Sequence, residues 1–176
     1  MRTTSSREAY RNPWMSVRED VLQLDDGSSG LYGVVEKPDF AVVLPWQDGG
    51  FWLVEQFRHP VGRRCWEFPQ GTWPPGTEPG APEDLARAEL AEETGLRAGR
   101  LRHLGRLDAA PGLMPTRFDV WLATELTQGP TAREATEADM RSAFVPEAEL
   151  RRMIDTGGLG DAASIAALGL LLLDRA

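Results

Sequence analysis

Glu89, Glu92 and Glu93 fall within five residues of one another in the segment LARAELAEETGLRAG, residues 85 to 99. On a helix of about 3.6 residues per turn, their i, i+3 and i+4 spacing turns all three carboxylates to one face. Like charges so placed repel, and the arrangement costs stability unless solvent screens it or a cation sits among the oxygens. Carboxylate oxygens are hard donors, suited to Mg²⁺ or Mn²⁺. A solvated acidic helix face is the competing reading, and spacing alone does not choose between the two.

The helix that must carry these residues is well bounded. Pro82 suits a first helical turn, Glu83 and Asp84 stand at the positive end, and Gly95 supplies the C-terminal stop. Ahead of it the punctuation is that of β structure. VREDVLQL and LYGVVEK on either side of DDGSSG suggest one hairpin, and DFAVVLPW and FWLVEQF around QDGG suggest a second. CWEFPQG reads as a short strand ended by Pro69 and Gly71, and TWPPGTEPGAP as an ordered turn cluster that runs into the helix. Beyond the helix, LRHLGRLDAAPG and FDVWLATEL form another strand pair. The acidic stretch TQGPTAREATEADM follows, then a strand at SAFVP and helices over 146–155 and from 161 onward, the last N-capped by Asp161.

Composition bounds the function. A chain of 176 residues is sized for one well-cored domain with a small appended element. The net charge of -8 gives no basic footprint for nucleic acid or an anionic membrane, so neither is an expected partner. The single Cys65 excludes an internal disulfide framework and fits a reducing compartment; with no signal peptide visible, a cytoplasmic protein is expected. The apolar run AASIAALGLLLL is well short of the roughly 20 residues of a membrane span and reads as a buried helix. Neither His59 nor His103 has a partner at metal-ligand spacing, and large aromatics such as Trp14 and Trp46 read as core or interface residues before base-stacking ones.

The segment AELAEETGL, residues 88 to 96, resembles the second half of the Nudix hydrolase motif, with Gly71 after WEFPQ as its opening glycine. The likeness runs from about residue 39 to the end. Two departures stand out. Seventeen residues separate Gly71 from Glu89 where the family has fourteen, so the Pro-Gly loop looks like a three-residue insertion, and Ala88 replaces the motif Arg. Arg87 is turned away by one helical position and is expected to pair with Glu83 at i-4. Pro111, 15 residues beyond Leu96, and the segments LVEQFRHPVGRRCWEFPQG, EATEADM with SAFVP, and GLGDAASIAALGLLLL are similar to the ADP-ribose pyrophosphatase group.

The resemblance implies an α/β Nudix fold, a mixed β-sheet in an α/β/α sandwich with an N-terminal β-hairpin module. Residues 1–11 are expected to be loose, 12–38 to form the β module and a possible dimerisation element, and 39–176 to form the Nudix domain. It also implies Mg²⁺, with Mn²⁺ as the alternative, held by Glu89, Glu92, Glu93 and the backbone carbonyl of Gln70. Glu93 joins Glu137, the favoured general base, and Glu134 as a catalytic residue; Asp139 is a further carboxylate of that segment. Arg58, Arg64 and Gly112 are expected substrate contacts, Arg58 having an ion pair as its equal alternative. The implied activity is hydrolysis of the diphosphate of a nucleoside diphosphate sugar, foremost ADP-ribose to AMP and ribose 5-phosphate, in a homodimer. Other sugar nucleotides, dinucleotides, or a nucleotide sensor without turnover are the alternatives.

Overall fold

The run Ala41-Val42-Val43-Leu44 is apolar at every position, the pattern of a strand buried on both faces. A computed structural model, which describes residues 1–133 and 138–175, places it in β4 (Phe40–Gln47) at the centre of a seven-stranded mixed sheet. β4 pairs in parallel with β9 (Arg117–Gln128), which pairs antiparallel with β8 (Leu96–Asp108). On its other side β4 turns at Asp48-Gly49 into β5 (Gly50–Arg58), flanked by β6 (Arg63–Glu67) and β10 (Arg141–Pro146). The strands diverge beyond that hairpin, and the two-residue strand β7 (Gln70–Gly71) pairs with β4 instead, Ala41 against Gly71 and Val42 against Gln70.

Alternation along β4 sorts the core into two layers. Ala41 and Val43 pack with Leu85, Ala86 and Leu90 of α1 (Pro82–Thr94), while Val42 and Leu44 pack with Leu159 and with Ala167 and Leu171 of α3 (Ala162–Asp174). Helix α2 (Glu147–Asp155) adds Leu150 to the second layer. This is the expected α/β/α arrangement. Each fully buried Val or Leu in these layers contributes about 2 kcal/mol of transfer free energy. Among the described residues no helix is long and apolar enough to cross a membrane.

Helix α1 begins and ends where its sequence dictates. Pro82 opens it, and Gly95 closes it in the left-handed region at φ 75° with its N–H on the Ala91 carbonyl. A side chain at Gly95 would also strike the Gly129 carbonyl, since a Cβ there would lie 2.4 Å from that oxygen. Asp161 caps α3 as expected, accepting from the Ser164 N–H at 2.8 Å.

A separate three-stranded antiparallel sheet precedes the mixed one: β1 (Arg2–Arg11), β2 (Ser16–Gln23) and β3 (Ser29–Glu36). The β2–β3 hairpin is the one expected around DDGSSG. The first eleven residues differ from expectation, for Arg2–Arg11 form a strand along β2 rather than a loose end. Every residue of β1 is exposed, so the strand is held by its backbone ladder and by pairs such as Arg7 with Glu19.

Candidate active site

Three carboxylates on one helix face repel one another unless solvent, a donor or a cation offsets the charge. In α1 the i, i+4 pair Glu89 and Glu93 points inward, 8% and 1% exposed, and Glu92 is half-buried beside them. Their counterpart is the short strand β7. The Gln70 backbone N–H donates to Glu93 Oε2 at 3.1 Å, and the Glu89 carboxylate lies so close over Gly71 that a Cβ there would meet Oε2 at 2.4 Å. A side chain at 71 would therefore displace the Glu89 carboxylate, and it is this approach rather than the backbone angles that favours glycine there.

Glu89 and Glu92 line a cavity of about 470 Å³ together with Arg58, Gln70, Trp73 and Ala88. The inserted loop supplies one wall through Trp73 and Pro74, and Trp14 reaches the rim from the turn after β1. Trp46 plays no part: it packs edge-on against Phe51 with the Arg175 guanidinium 4.5 Å from its ring centre.

Arg58 faces the same cavity but is engaged. Its Nε donates to Glu67 Oε1 at 2.9 Å and a terminal nitrogen to Oε2 at 2.6 Å, so the ion-pair alternative is what forms. Burial works against the guanidinium charge, yet hydrogen bonding to Glu67, with the further charges of Glu93 and Asp161, raises its pKa above the usual value. Glu67 is only 2% exposed and would be untenable without this partner.

Arg64 and Gly112 stand elsewhere. Arg64 pairs with Glu55 at 2.9 Å and Asp139 at 2.5 Å and does not line the cavity. Gly112, in the β8–β9 loop, accepts a hydrogen bond from the Tyr32 hydroxyl at 2.7 Å, which ties that loop to the N-terminal sheet. Glu134 and Glu137 lie outside the described residues. Their flanks are held, however: Arg133 donates to the Glu93 carbonyl at 3.0 and 2.8 Å and to the Met140 carbonyl, and Asp139 is held by Arg64. Neither Arg133 nor Glu67 was singled out by sequence reasoning, and only a buried acid among apolar neighbours in CWEFP hints at the second.

Among the described residues no cluster of three or more His, Cys, Asp or Glu side chains stands ready to hold a metal ion. Fit to a cation therefore rests on donor chemistry. The acidic groups that face the cavity are carboxylates, and none of the residues lining it is a His or Cys. Oxygen donors of this kind suit a hard ion that keeps part of its water shell.

Two substitutions separate site from scaffold. Gly71→Ala is expected to lower kcat by about 100-fold, because the displaced Glu89 carboxylate is misplaced by the order of an ångström, while the melting temperature barely changes. An active Gly71→Ala enzyme would remove Glu89 from the site. Arg87 pairs with Glu83 as expected, donates to the Ala98 carbonyl at 2.9 Å and is exposed, so Arg87→Gln should cost about 1 kcal/mol and leave turnover intact. Urea titration and steady-state rates check both halves of that statement.

Comparison with known proteins agrees with the architecture. Residues 1–35 match the nucleoside diphosphate sugar hydrolase N-terminal domain and residues 36–168 match the NUDIX domain. An ADP-ribose pyrophosphatase of Mycobacterium tuberculosis (strain ATCC 25618 / H37Rv) is 34% identical over 166 residues, 93% of this chain and 79% of that protein. An ADP-ribose pyrophosphatase of Bacillus subtilis (strain 168) is 27% identical over 177 residues, 99% of this chain and 94% of that protein. A solved structure described as an ADP compounds hydrolase superposes with a TM-score of 0.83 over 97% of this chain and 91% of its own, at 20% identity, a likeness of fold. Because the NUDIX match spans most of its length and a relative about a third identical covers nearly all of it, the chain belongs to the Nudix hydrolase family.

Proposed function

We propose that the chain hydrolyses the diphosphate linkage of a nucleoside diphosphate sugar, ADP-ribose foremost, with Mg²⁺ (or Mn²⁺) bound by Glu89, Glu92, Glu93 and the Gln70 carbonyl. The observation that carries this reading is the pair of buried carboxylates, Glu89 and Glu93, held against Gln70 and Gly71 beside a nucleotide-sized cavity. A diphosphate brings negative charge to a wall of carboxylates, and that meeting is unfavourable without a cation. When bound, the divalent ion neutralises the diphosphate and lowers the pKa of the attacking water. The two curated relatives described as ADP-ribose pyrophosphatases support the substrate.

The protein's own groups divide the remaining work. Glu137 takes the proton of the attacking water, with Glu134 as second choice. Arg58 presents a cationic edge to a phosphate while it remains paired with Glu67. Trp14 and Trp73, both in the cavity lining, offer aromatic surface to a base or sugar face. Arg64 orders the end of the 134–139 segment through Asp139 rather than touching substrate. We also place the protein in the cytoplasm as a homodimer joined through the N-terminal sheet, where Val21, Leu31 and Tyr32 are exposed.

The test is phosphate release with Mg²⁺ and a coupled phosphatase across ADP-ribose, ADP-glucose, UDP-glucose, GDP-mannose, NADH and a diadenosine polyphosphate. ADP-ribose should lead the panel. Equal silence on all six substrates, with nucleotide still bound, would replace this reading with that of a sensor.

A further inference from the structure

Glu89 and Glu93 repel one another, and position 88, which lines the cavity beside Glu89, contributes only a methyl group. Something other than α1 must set where those carboxylates stand. The candidate lies beneath β7. The Gln70 side-chain amide donates to Glu67 Oε2 at 2.7 Å and to Asp161 Oδ2 at 3.0 Å, which uses both of its N–H groups. Each acceptor is itself fixed: Glu67 by the two-pronged Arg58 contact, Asp161 by the Ser164 N–H at 2.8 Å and hydroxyl at 2.7 Å. The Ser164 hydroxyl oxygen, fully buried, accepts in turn from the Phe68 N–H at 2.9 Å. Strand β7 is thereby held from below by β5, β6 and the N-terminus of α3, while from above its Gln70 N–H meets Glu93 and its Gly71 meets Glu89.

We infer that Gln70 is a positioning residue: its side-chain amide, locked between Glu67 and Asp161, fixes the height of β7 and so the placement of the Glu89 and Glu93 carboxylates. This rests on the reading of those carboxylates as metal ligands. Strand β7 is held to β4 by its short ladder and by the Val43 N–H on the Pro69 carbonyl at 2.9 Å, and the amide adds a constraint from the opposite side. Part-buried polar networks of this kind, with Glu67 and Ser164 at their buried centre, specify geometry more than they add stability.

The test is Gln70→Met, which keeps the side chain's length and removes both donors and leaves the backbone N–H and carbonyl in place. Three readouts apply: amide exchange at residues 70 and 71 in metal-free protein, Mn²⁺ affinity by titration, and kcat against KM on ADP-ribose. Exchange at 70 and 71 should quicken, Mn²⁺ affinity and kcat should each fall by about 10- to 100-fold, the range for loss of a contact that orients ligands, and KM should change little. Ala88→Arg, which brings a guanidinium to the same cavity wall, should raise kcat by a larger factor in the Gln70→Met background than in the native chain. Unchanged exchange or Mn²⁺ affinity in Gln70→Met overturns the inference. So does an equal Ala88→Arg factor in both backgrounds, which would mean that the two positions act independently. If the native chain neither binds Mn²⁺ nor turns over, the hydrolase reading falls and this inference with it; a native-like Gln70→Met beside an active native enzyme removes this inference alone.

Discussion

Replacing Glu93 by Gln should lower kcat by about 1000-fold, the scale of losing one preorganised charged contact to the reacting group, while the fold survives. The side chain is 1% exposed and Oε2 accepts from the Gln70 N–H, a bond that a Gln carbonyl can also accept. Volume is unchanged, so no cavity opens. Removing a charge one turn from Glu89 relieves repulsion worth a few tenths of a kcal/mol, about 0.2 to 0.5, and the metal-free variant should melt at or slightly above the native temperature. Mg²⁺ should raise the native melting temperature and leave the variant's nearly unmoved, since only a protein that binds the ion gains stability from it. Steady-state rates and thermal melts with and without Mg²⁺ decide the matter. Native-like turnover in Glu93→Gln would sink the metal-site assignment altogether.

The parts of this molecule that were legible in its sequence are those whose signal is local. The QDGG turn between DFAVVLPW and FWLVEQF marked β4 and β5, the Pro82 and Gly95 boundaries marked α1, and Asp161 marked the start of α3. Strand β1 was missed because RTTSSREAYR is exposed at all ten positions; a strand that buries neither face carries no alternation to read. The carboxylates of α1 were legible because helical spacing alone puts them on one face. Their supports were not. Gln70 and Asp161 are 91 positions apart, and Arg133 reaches the Glu93 carbonyl from 40 positions away. Contacts of that span depend on how β5, β7 and α3 meet in space, which no local pattern encodes. Arg58 shows the same limit from the other side, for the sequence left substrate contact and ion pair equally open, and only the fold brings Glu67 within 2.6 Å.

Glu137→Gln should lower kcat by about 100- to 1000-fold, within the range of losing a positioned general base, while Mn²⁺ affinity stays within about 2-fold of native because Glu89, Glu92 and Glu93, the proposed ligands, are untouched. The described residues on either side of positions 134–137 are held in place. Arg133 spans from the last turn of α1 to the Met140 carbonyl, and Met140 is 3% exposed; Asp139 is pinned by Arg64. A base that works in its ionised form gives kcat/KM an acidic limb, since protonation removes it as pH falls, and Gln at 137 should flatten that limb as well as lower the plateau. Glu134→Gln, measured beside it, distinguishes the neighbours: a large loss at 134 with a native rate and limb at 137 would move the base to Glu134. Native profiles in both variants would place it outside this segment.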